Sequence, residues 1–246
     1  MLDCICVETM RLSDRQTIEQ LVPGLTLMAR AAWGVYLAQD WTGPVAIAAG
    51  SGNNGGDGFA LACILAGKQI PCTVFTLGSR LSPDSAHYAE KARALGVPVR
   101  PFSEGCLAGF ATVADCLLGT GFQGDLRPDS RDAIRQINAS GARVVSVDIN
   151  SGMNGDTGLA REAVRSHLTV TVGFVKTGLV VPAAGQYIGC LRCADIGIRL
   201  ARQEQTLCSR AEWDALAPSD RDSGRFLLSP PWLDMTRIPA ADTPAL

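Results

Sequence analysis

Along most of the chain, short apolar runs alternate with glycine-rich or polar turns and with segments of helical periodicity. An apolar run at residues 45–49 comes before a turn, and residues 59–66 continue with a helical pattern. The turn between them reads Gly50-Ser51-Gly52-Asn53-Asn54-Gly55-Gly56-Asp57-Gly58. A short apolar run followed by such a turn predicts a buried strand that leads into a helix. Free backbone N–H groups at the start of that helix would bind an anionic group well.

The same order of strand and helix recurs along the chain, and this repetition predicts the fold class. It indicates an α/β, Rossmann-like three-layer sandwich, with a mostly parallel sheet and helices on both faces. Further strands are predicted at residues 72–77, 97–99, 113–118, 143–149, 168–172 and 187–196. Helices are predicted over residues 25–39 and 129–138, from Ser13, where a capping-box pattern begins, and from Ser82.

Two more polar turns follow later predicted strands. The second turn reads Gly119-Thr120-Gly121-Phe122-Gln123-Gly124-Asp125. The third turn reads Asn150-Ser151-Gly152-Met153-Asn154-Gly155-Asp156-Thr157-Gly158. Ligands on parallel sheets bind at the carboxyl ends of strands, and all three turns lie at such ends. We therefore expect the three turns to converge on one crevice.

The composition changes after about residue 201. Charged residues cluster at 220–222, and prolines at positions 230, 231, 239 and 244 interrupt the remainder. This segment lacks the hydrophobic periodicity of a packed element. The sequence thus predicts one domain over residues 1–201 and an irregular C-terminal tail over residues 202–246, which the domain would not need for folding.

Composition and charge exclude several functional classes. Of the 246 residues, 47% are hydrophobic and 19% are charged, and the net charge is −2. A nearly neutral chain argues against a nucleic-acid partner, and no apolar run reaches the roughly 18–20 residues of a membrane span. The N-terminal residues lack a signal-peptide pattern, and the nine cysteines favour free thiols in a reducing cytoplasm. The isolated pair Cys190 and Cys193 lacks the additional ligands of a zinc site.

The first turn contains the spacing G-x-G-x-x-G, which is also found in ordinary nicotinamide-dependent dehydrogenases. Such enzymes place an acidic residue about 20 positions later, at the end of the next strand, where it binds the ribose hydroxyls. The next predicted strand here ends in Gly78-Ser79-Arg80, without an acid. The dehydrogenase interpretation is therefore a disfavoured alternative.

Taken together, these turns resemble those of the NAD(P)H-hydrate epimerases, whose domain also forms the N-terminal half of bifunctional nicotinamide-hydrate repair enzymes. The resemblance runs in order from about residue 10 to residue 198. The motifs that carry it lie at residues 52–58, 115, 119–121, 147–152, 154–158, 176–179 and 194–198. It implies an isomerase that interconverts the R and S forms of hydrated NADH or NADPH, and a homodimer in the cytoplasm.

The resemblance also implies roles for individual positions. The hydrated nicotinamide nucleotide would be surrounded by Asn53, Asn54, Gly55, Gly56, Asp57 and Asp148. Its phosphates would lie against Gly119, Thr120, Gly121, Phe122, Gln123, Gly124 and Asp125. A potassium ion would be bound by Asn54, Asp115 and Ser151. These three residues supply hard oxygen donors, which suit an alkali cation and do not suit zinc.

The chemistry of the implied substrate selects candidate catalytic residues. Its reacting carbon is a hemiaminal, so loss and return of the hydroxyl needs an acid, a base and nearby negative charge. Asp148, at the end of a predicted buried strand, is the first candidate, and Asp57 is the second unless it caps its helix. Lys176 would pair with a phosphate or a carboxylate, or lie in solvent. Ring opening and reclosure is a competing route that the sequence leaves open.

One position departs from the family pattern, and one alternative function stays open. The family often has proline where this chain has Asn150, and we expect asparagine to loosen the turn while keeping it polar. A protein-binding module without catalysis is the alternative, since some proteins of this family bind lipoprotein partners. The apolar stripe of residues 25–39 would serve such contacts, or it would pack in a core or a dimer.

Overall fold

The structure is a computed structural model that describes residues 1–244 and 246. The strands are β1 (Leu2–Ile5), β2 (Val45–Ala49), β3 (Cys72–Thr76), β4 (Val99–Pro101), β5 (Thr112–Cys116), β6 (Arg143–Val147), β7 (Leu168–Val172), β8 (Val175–Lys176), β9 (Leu191–Asp195), β10 (Gln205–Cys208), β11 (Phe226–Leu228) and β12 (Leu233–Pro239). The α-helices are α1 (Val7–Gln20), α2 (Gly24–Leu37), α3 (Asn53–Gly67), α4 (Pro83–Ala94), α5 (Pro128–Ala139), α6 (Arg210–Ala215) and α7 (Pro218–Arg221). Two 3₁₀ helices follow β8, at Thr177–Leu179 and Pro182–Gln186.

The main sheet has eight parallel strands in the order β12-β9-β7-β6-β5-β2-β3-β4. Residues of β2 alternate between its faces. Val45, Ile47 and Ala49 pack in the cluster that contains α2, α3 and α4, whereas Ala46 and Ala48 pack in the cluster that contains α5. Helices therefore cover both faces, and the predicted three-layer α/β sandwich is confirmed.

The strand order places a topological switch beside β2. From β2 the chain continues to β3 and β4 on one side, and then returns to β5 on the other side of β2. Connections that diverge in this way leave a crevice at the carboxyl ends of the two central strands. The turn before α3 and the turn after β5 both lie at this crevice.

A second, four-stranded sheet has the order β11-β10-β1-β8. Strand β1 pairs with β10 in antiparallel orientation and with β8 in parallel orientation. The two residues of β8, Val175 and Lys176, thereby become linked to the N-terminal strand. This sheet supports α1, which begins directly after β1.

Helix α1 begins earlier than the capping-box pattern at Ser13 predicted, so that prediction is wrong. Its N-cap is Cys6, and Asp156 Oδ1 accepts a hydrogen bond of 2.7 Å from the backbone N–H of Val7. Ser13 is fully buried inside the helix, where its hydroxyl donates to the carbonyl of Thr9 at 2.7 Å. The Cys6 side chain caps this helix locally by accepting from Thr9 N, and a contact between residues 149 positions apart binds its first N–H group.

The structure also corrects the expectation of an irregular tail at residues 202–246. Strand β10 pairs with β1, and β12 extends the main sheet beside β9. Leu207, Leu233 and Ile238 are buried, at 0%, 8% and 8% exposure. The prolines stand at the ends of these short elements, for example Pro239 at the end of β12, where they interrupt no strand interior. Only Ala245 of the tail lies outside the described residues.

Among the helices of the described residues, none combines the length and the apolar composition of a transmembrane span.

Candidate functional site

A cavity of about 700 Å³ opens at the carboxyl ends of the central strands. This volume lies within the range of small-molecule and cofactor sites. Its walls come from α1, α2, the turn before α3, the turn after β5, Lys176 of β8, and residues that follow β6 and β9. The cavity therefore occupies the switch point that the strand order creates.

The first turn reaches the cavity because its glycines allow the backbone to pack closely. A Cβ atom at Gly50 would lie 1.9 Å from the carbonyl oxygen of Leu117, so no other residue fits there. Helix α3 then begins at Asn53, whose Oδ1 accepts a 2.8 Å hydrogen bond from the hydroxyl of Ser82. The first N–H groups of α3 lack partners within the helix and face the cavity side of the turn.

Asn54 joins the first turn to the second. Its Nδ2 donates to the carbonyl of Leu118 at 2.9 Å, and its side chain is buried. Its Oδ1 is a buried oxygen for which no described residue supplies a hydrogen-bond donor. A buried acceptor without a donor costs free energy on the order of 1–3 kcal/mol, unless a cation or another donor lies beside it.

Asp115 lies beneath this turn, fully buried at the end of β5. Its Oδ1 accepts hydrogen bonds from the Ser151 hydroxyl at 2.5 Å and from Leu117 N at 3.3 Å. Its Oδ2 accepts from Ser146 Oγ at 2.9 Å and from Ser151 N at 3.0 Å. Burial raises the pKa of Asp115, while the hydrogen bonds, chiefly those from Ser151, lower it.

Ser151 completes the connection between the second and third turns. Its Oγ accepts a hydrogen bond of 2.9 Å from the N–H of Leu118 while donating to Asp115. Leu118 also offers its carbonyl to Asn54. Asn54 and Ser151 thus both bind the backbone of Leu118, and Ser151 in turn binds Asp115. The structure therefore brings the three residues together.

The second turn forms another wall of the cavity. Gly119 lies between the first turn and Asp148, because a Cβ atom there would be 3.3 Å from both Asn54 Cβ and Asp148 Oδ2. The following carbonyl, that of Thr120, accepts a 2.6 Å hydrogen bond from Arg11 Nη2 of α1. The guanidinium of Arg11 therefore stands at the part of the cavity where the sequence predicts phosphates.

Asp148 enters the cavity through an unusual backbone conformation. Its φ of 67° lies in the left-handed region, which aspartate tolerates better than most residues. Its Oδ1 accepts a 2.5 Å hydrogen bond from Lys176 Nζ. Lys176 is 1% exposed and also donates to Thr171 Oγ1 at 3.1 Å and Val172 O at 2.7 Å. All three ammonium protons are used, and Asp148 Oδ2, beside Gly119, makes no hydrogen bond with the described residues.

Asp57 faces the same cavity from α3 and caps no helix. The N-cap of α3 is Gly52, and Asp57 is the fifth residue of the helix. Its carboxyl makes no hydrogen bond within the described residues. Burial raises the pKa of Asp57 well above its ordinary value, and the charges of Asp148 and Asp14 raise it further against the opposing effect of Lys176. Asp57 is thus a carboxyl that favours its protonated form.

The cavity collects most, but not all, of the residues that the sequence singled out. It is lined by Asn53, Asn54, Asp57, Gly119, Thr120, Gly121, Phe122, Gln123, Asp125 and Asp148. Gly55 and Gly56 lie behind it, in the packing of α3. Gly124 lines a neighbouring cavity of about 540 Å³, which Gly152 and Asn154 of the third turn also line. The third turn therefore reaches the main cavity only through the preceding Asp148.

Helix α1 supplies cavity residues that sequence reasoning missed. Met10, Asp14 and Ile18 line the cavity from one stripe, together with Arg11. Their spacing of four residues places them on one face of a helix. A helix predicted from Ser13 already contains Asp14 and Ile18, but the sequence does not show that this face of the helix packs against the cavity.

Asn150 does not loosen the third turn, contrary to the expectation. Its Nδ2 lies 3.0 Å from the Val164 and Tyr187 carbonyls and from Ser166 Oγ, and its Oδ1 accepts from Thr169 Oγ1 at 2.7 Å. The side chain is fully buried. Asparagine fixes this turn by hydrogen bonds to the strand and loop beside it.

The chain is similar to proteins of one family. Residues 24–178 match the family described as YjeF-related protein N-terminus. An NAD(P)H-hydrate epimerase of Oenococcus oeni is 35% identical over 194 residues, which cover 75% of this chain and 92% of that protein. One of Lentilactobacillus buchneri is 34% identical over 208 residues, which cover 80% and 96%. The crystal structure of yeast YNL200c shares the fold, with a TM-score of 0.69 at 20% identity, covering 80% of this chain and 90% of that one.

Proposed function

The chain belongs to the family of YjeF-related N-terminal domains, which includes NAD(P)H-hydrate epimerases, and from this premise we propose that it interconverts the R and S forms of hydrated NADH and NADPH. The observation that carries the proposal is the convergence of the first two turns with the Asp148–Lys176 pair on one cavity. Family membership also disfavours the dehydrogenase alternative, as does the absence of an acid in the described turn after β3.

The proposed reaction begins with loss of the ring hydroxyl. An acid gives a proton to that hydroxyl, the carbon–oxygen bond breaks, and water departs. The lone pair of the ring nitrogen forms a carbon–nitrogen double bond, which leaves a cation. Water then adds to the opposite face of the ring and releases a proton, so that the configuration is inverted. Positioned proton transfer and fixed negative charge both lower the barrier of such steps.

Asp148 and Asp57 suit different parts of this reaction. The ammonium of Lys176 holds Oδ1 of Asp148 in place, so the carboxylate presents Oδ2 to the cavity as a fixed negative charge. We assign to it the stabilisation of the cation. Asp57 has a raised pKa and no partner, as a proton donor requires. We assign to it the protonation of the departing hydroxyl.

The turn at Gly119–Asp125 and the N-terminus of α3 would hold the phosphates of the substrate. Bare N–H groups at a helix N-terminus bind anions, and Arg11 adds a positive charge at the same wall. Lys176 does not take part in phosphate binding in this assignment, because it is buried and its three protons are bound.

We further propose that a potassium ion binds beside Asn54. The buried, unpartnered Oδ1 of Asn54 is the donor that fits an alkali cation, and the buried Asp115 supplies the compensating negative charge through Ser151. When bound, the ion would offset the charge of nearby phosphates and connect the turns.

In the test of this potassium site, KCl is compared with tetramethylammonium chloride at equal ionic strength. We expect K⁺ to raise the melting temperature of the wild type but not that of Asn54→Leu; equal melting temperatures for the wild type in both salts would refute the site.

The function itself is tested with purified R hydrate. The protein is incubated with it, and the S form is followed by chromatography against the spontaneous rate. Faster appearance of the S form supports the proposal. Binding of NADH with no acceleration would instead support a nucleotide-binding module without catalysis.

The family resemblance alone supports a homodimer, which we propose as the assembly. Helix α2 does not offer its apolar stripe to a partner, since that stripe packs on α3 and the main sheet. Sedimentation velocity at micromolar concentration tests the dimer, which would sediment with twice the 25.9 kDa mass of the chain. The cytoplasmic location stays a prediction.

A further inference from the structure

We propose that Asp14 is a further catalytic residue, which accepts or donates the proton on the face of the nicotinamide ring opposite Asp148 and Asp57. The proposal rests on the epimerase function and deepens it. Inversion at one carbon needs proton transfer on both faces of the ring, and the two acidic residues assigned so far, Asp57 and Asp148, both lie at the carboxyl ends of the sheet strands.

Asp14 reaches the cavity from a different wall. It stands in the middle of α1, and the cavity-lining positions four residues before and after it are the apolar Met10 and Ile18. Asp14 is therefore the one ionisable group within that stripe of three. The neighbouring Ser13 and Thr17 are buried and spend their hydroxyls on carbonyls of the same helix. In this part of helix α1, Asp14 is therefore the residue whose carboxyl can transfer a proton in the cavity.

The carboxyl of Asp14 has no structural partner. It makes no hydrogen bond or ion pair with the described residues, unlike Asp148 and the saturated Asp115. A half-buried carboxylate without a partner contributes nothing evident to the fold. Its presence in the cavity is explained if its partner is the substrate.

The charges around Asp14 support proton exchange at this position. Burial raises the pKa of Asp14, Lys176 of β8 opposes that change, and Asp148 and Asp84 raise the pKa further. Asp57 of α3 faces the same group, because its own pKa responds to the charge of Asp14. These carboxyls all line one cavity, and each negative charge there makes its neighbours hold a proton more strongly.

The proton and electron balance of the step is complete. On one face Asp57 gives its proton, the carbon–oxygen electron pair leaves with the oxygen as water, and the nitrogen lone pair forms the double bond. On the other face a lone pair of water forms the new carbon–oxygen bond, the double-bond pair returns to nitrogen, and Asp14 takes the released proton. The proton then passes from Asp14 back to Asp57 through solvent water, which restores both groups. In the reverse direction Asp14 is the acid, because both directions follow the same path.

The test separates exchange of the hydroxyl from inversion. R hydrate is incubated in H₂¹⁸O with the wild type, with Asp14→Asn and with the control Glu19→Gln, which changes an exposed acid on the same helix. Two products are measured: R hydrate that carries ¹⁸O, from return on the original face, and S hydrate, from inversion. The ratio of the two does not depend on the amount of folded enzyme, and a melting curve and NADP⁺ binding are measured in parallel.

We expect Asp14→Asn to lower formation of S hydrate at least tenfold while ¹⁸O exchange into R hydrate continues, so that the ratio of exchange to inversion rises by a similar factor. Glu19→Gln should leave the ratio unchanged. Unchanged inversion in Asp14→Asn, or an equal loss of exchange and inversion, would overturn the role of Asp14. Inversion by the wild type without any ¹⁸O exchange would also overturn it, in favour of ring opening. Absence of inversion by the wild type would refute the epimerase function itself.

Discussion

The buried ion pair between Lys176 and Asp148 gives the sharpest stability prediction. Substitution Lys176→Met replaces the ammonium by an apolar side chain of similar length and leaves Asp148, which is 13% exposed, without its cation. Removing one partner of a buried pair costs about 3–5 kcal/mol. Because Asp148 borders the cavity and water can reach it, we expect a loss at the lower end, about 3 kcal/mol.

A double-mutant cycle assigns this loss to the pair. Asp148→Asn keeps an oxygen beside Lys176 and tolerates the left-handed backbone, so it should cost about 1–2 kcal/mol. The double variant removes both charges and should cost less than the sum of the two single changes, by about 2 kcal/mol or more.

Urea unfolding followed by tryptophan fluorescence measures each free energy, and melting curves check them. For a chain of this size a 3 kcal/mol loss corresponds to about 6–12 °C in melting temperature. Lys91→Met is the matched control, since Lys91 makes no ion pair within the described residues, and it should cost less than about 1 kcal/mol. A cost below 1 kcal/mol for Lys176→Met, or additive losses in the double variant, would show that the Lys176–Asp148 pair does not stabilise the fold.

Two further predictions concern the C-terminal segment and Asp57. A chain ending at residue 201 should melt at least 10 °C lower than the full chain, because burial of Leu207, Leu233 and Ile238 contributes about 1.5–3 kcal/mol each; an unchanged melting temperature would show that β10 and β12 add nothing. Asp57→Asn should raise stability at pH 8 but not at pH 4, because a group with a raised folded pKa favours folding below its ordinary value of 3.8 and loses that contribution as the pH rises. Urea unfolding at both pH values measures the difference, and an equal effect at pH 4 and pH 8 would contradict the burial of that carboxyl.

The sheet and the first two turns were predictable because their signals are local. The apolar run of β2 and the glycines after it lie within one short segment, and the close approach of Gly50 to Leu117 requires glycine. Pro83 and Ser82 likewise mark the start of α4 within two residues, and Ser82 does cap that helix. A helix, strand or turn whose residue types depend on neighbours in the chain can therefore be identified from the sequence.

The parts that escaped prediction depend on contacts between distant positions. The first N–H group of helix α1 donates to the distant Asp156, and β12 pairs with β9, about 40 residues earlier in the chain. The two-residue β8 is too short to leave a pattern, yet it places Lys176 against Asp148. The sequence left Lys176 with a phosphate, a carboxylate or solvent as its partner, and only the packing of β8 beside β1 places it against the carboxylate.

In the candidate site, too, residues with local signals were predicted and residues placed by distant contacts were missed. The residues of the first two turns were found because strand ends in a parallel sheet gather at one edge. Asp14 was missed because it reaches the cavity from α1, whose place is set by the second sheet. The unpartnered oxygen of Asn54 also depends on three dimensions, since only burial distinguishes it from an ordinary turn asparagine.

The role of Asp148 in epimerisation is tested by the rate at which Asp148→Asn converts R hydrate into S hydrate, with the exposed Asp132→Asn as the control. We expect Asp148→Asn to stay folded, to bind the nucleotide detectably and to lose about 10²-fold or more of the wild-type rate, the typical effect of removing a group that stabilises charge in the transition state. A rate within a few-fold of the wild type, with Asp132→Asn also unchanged, would contradict it.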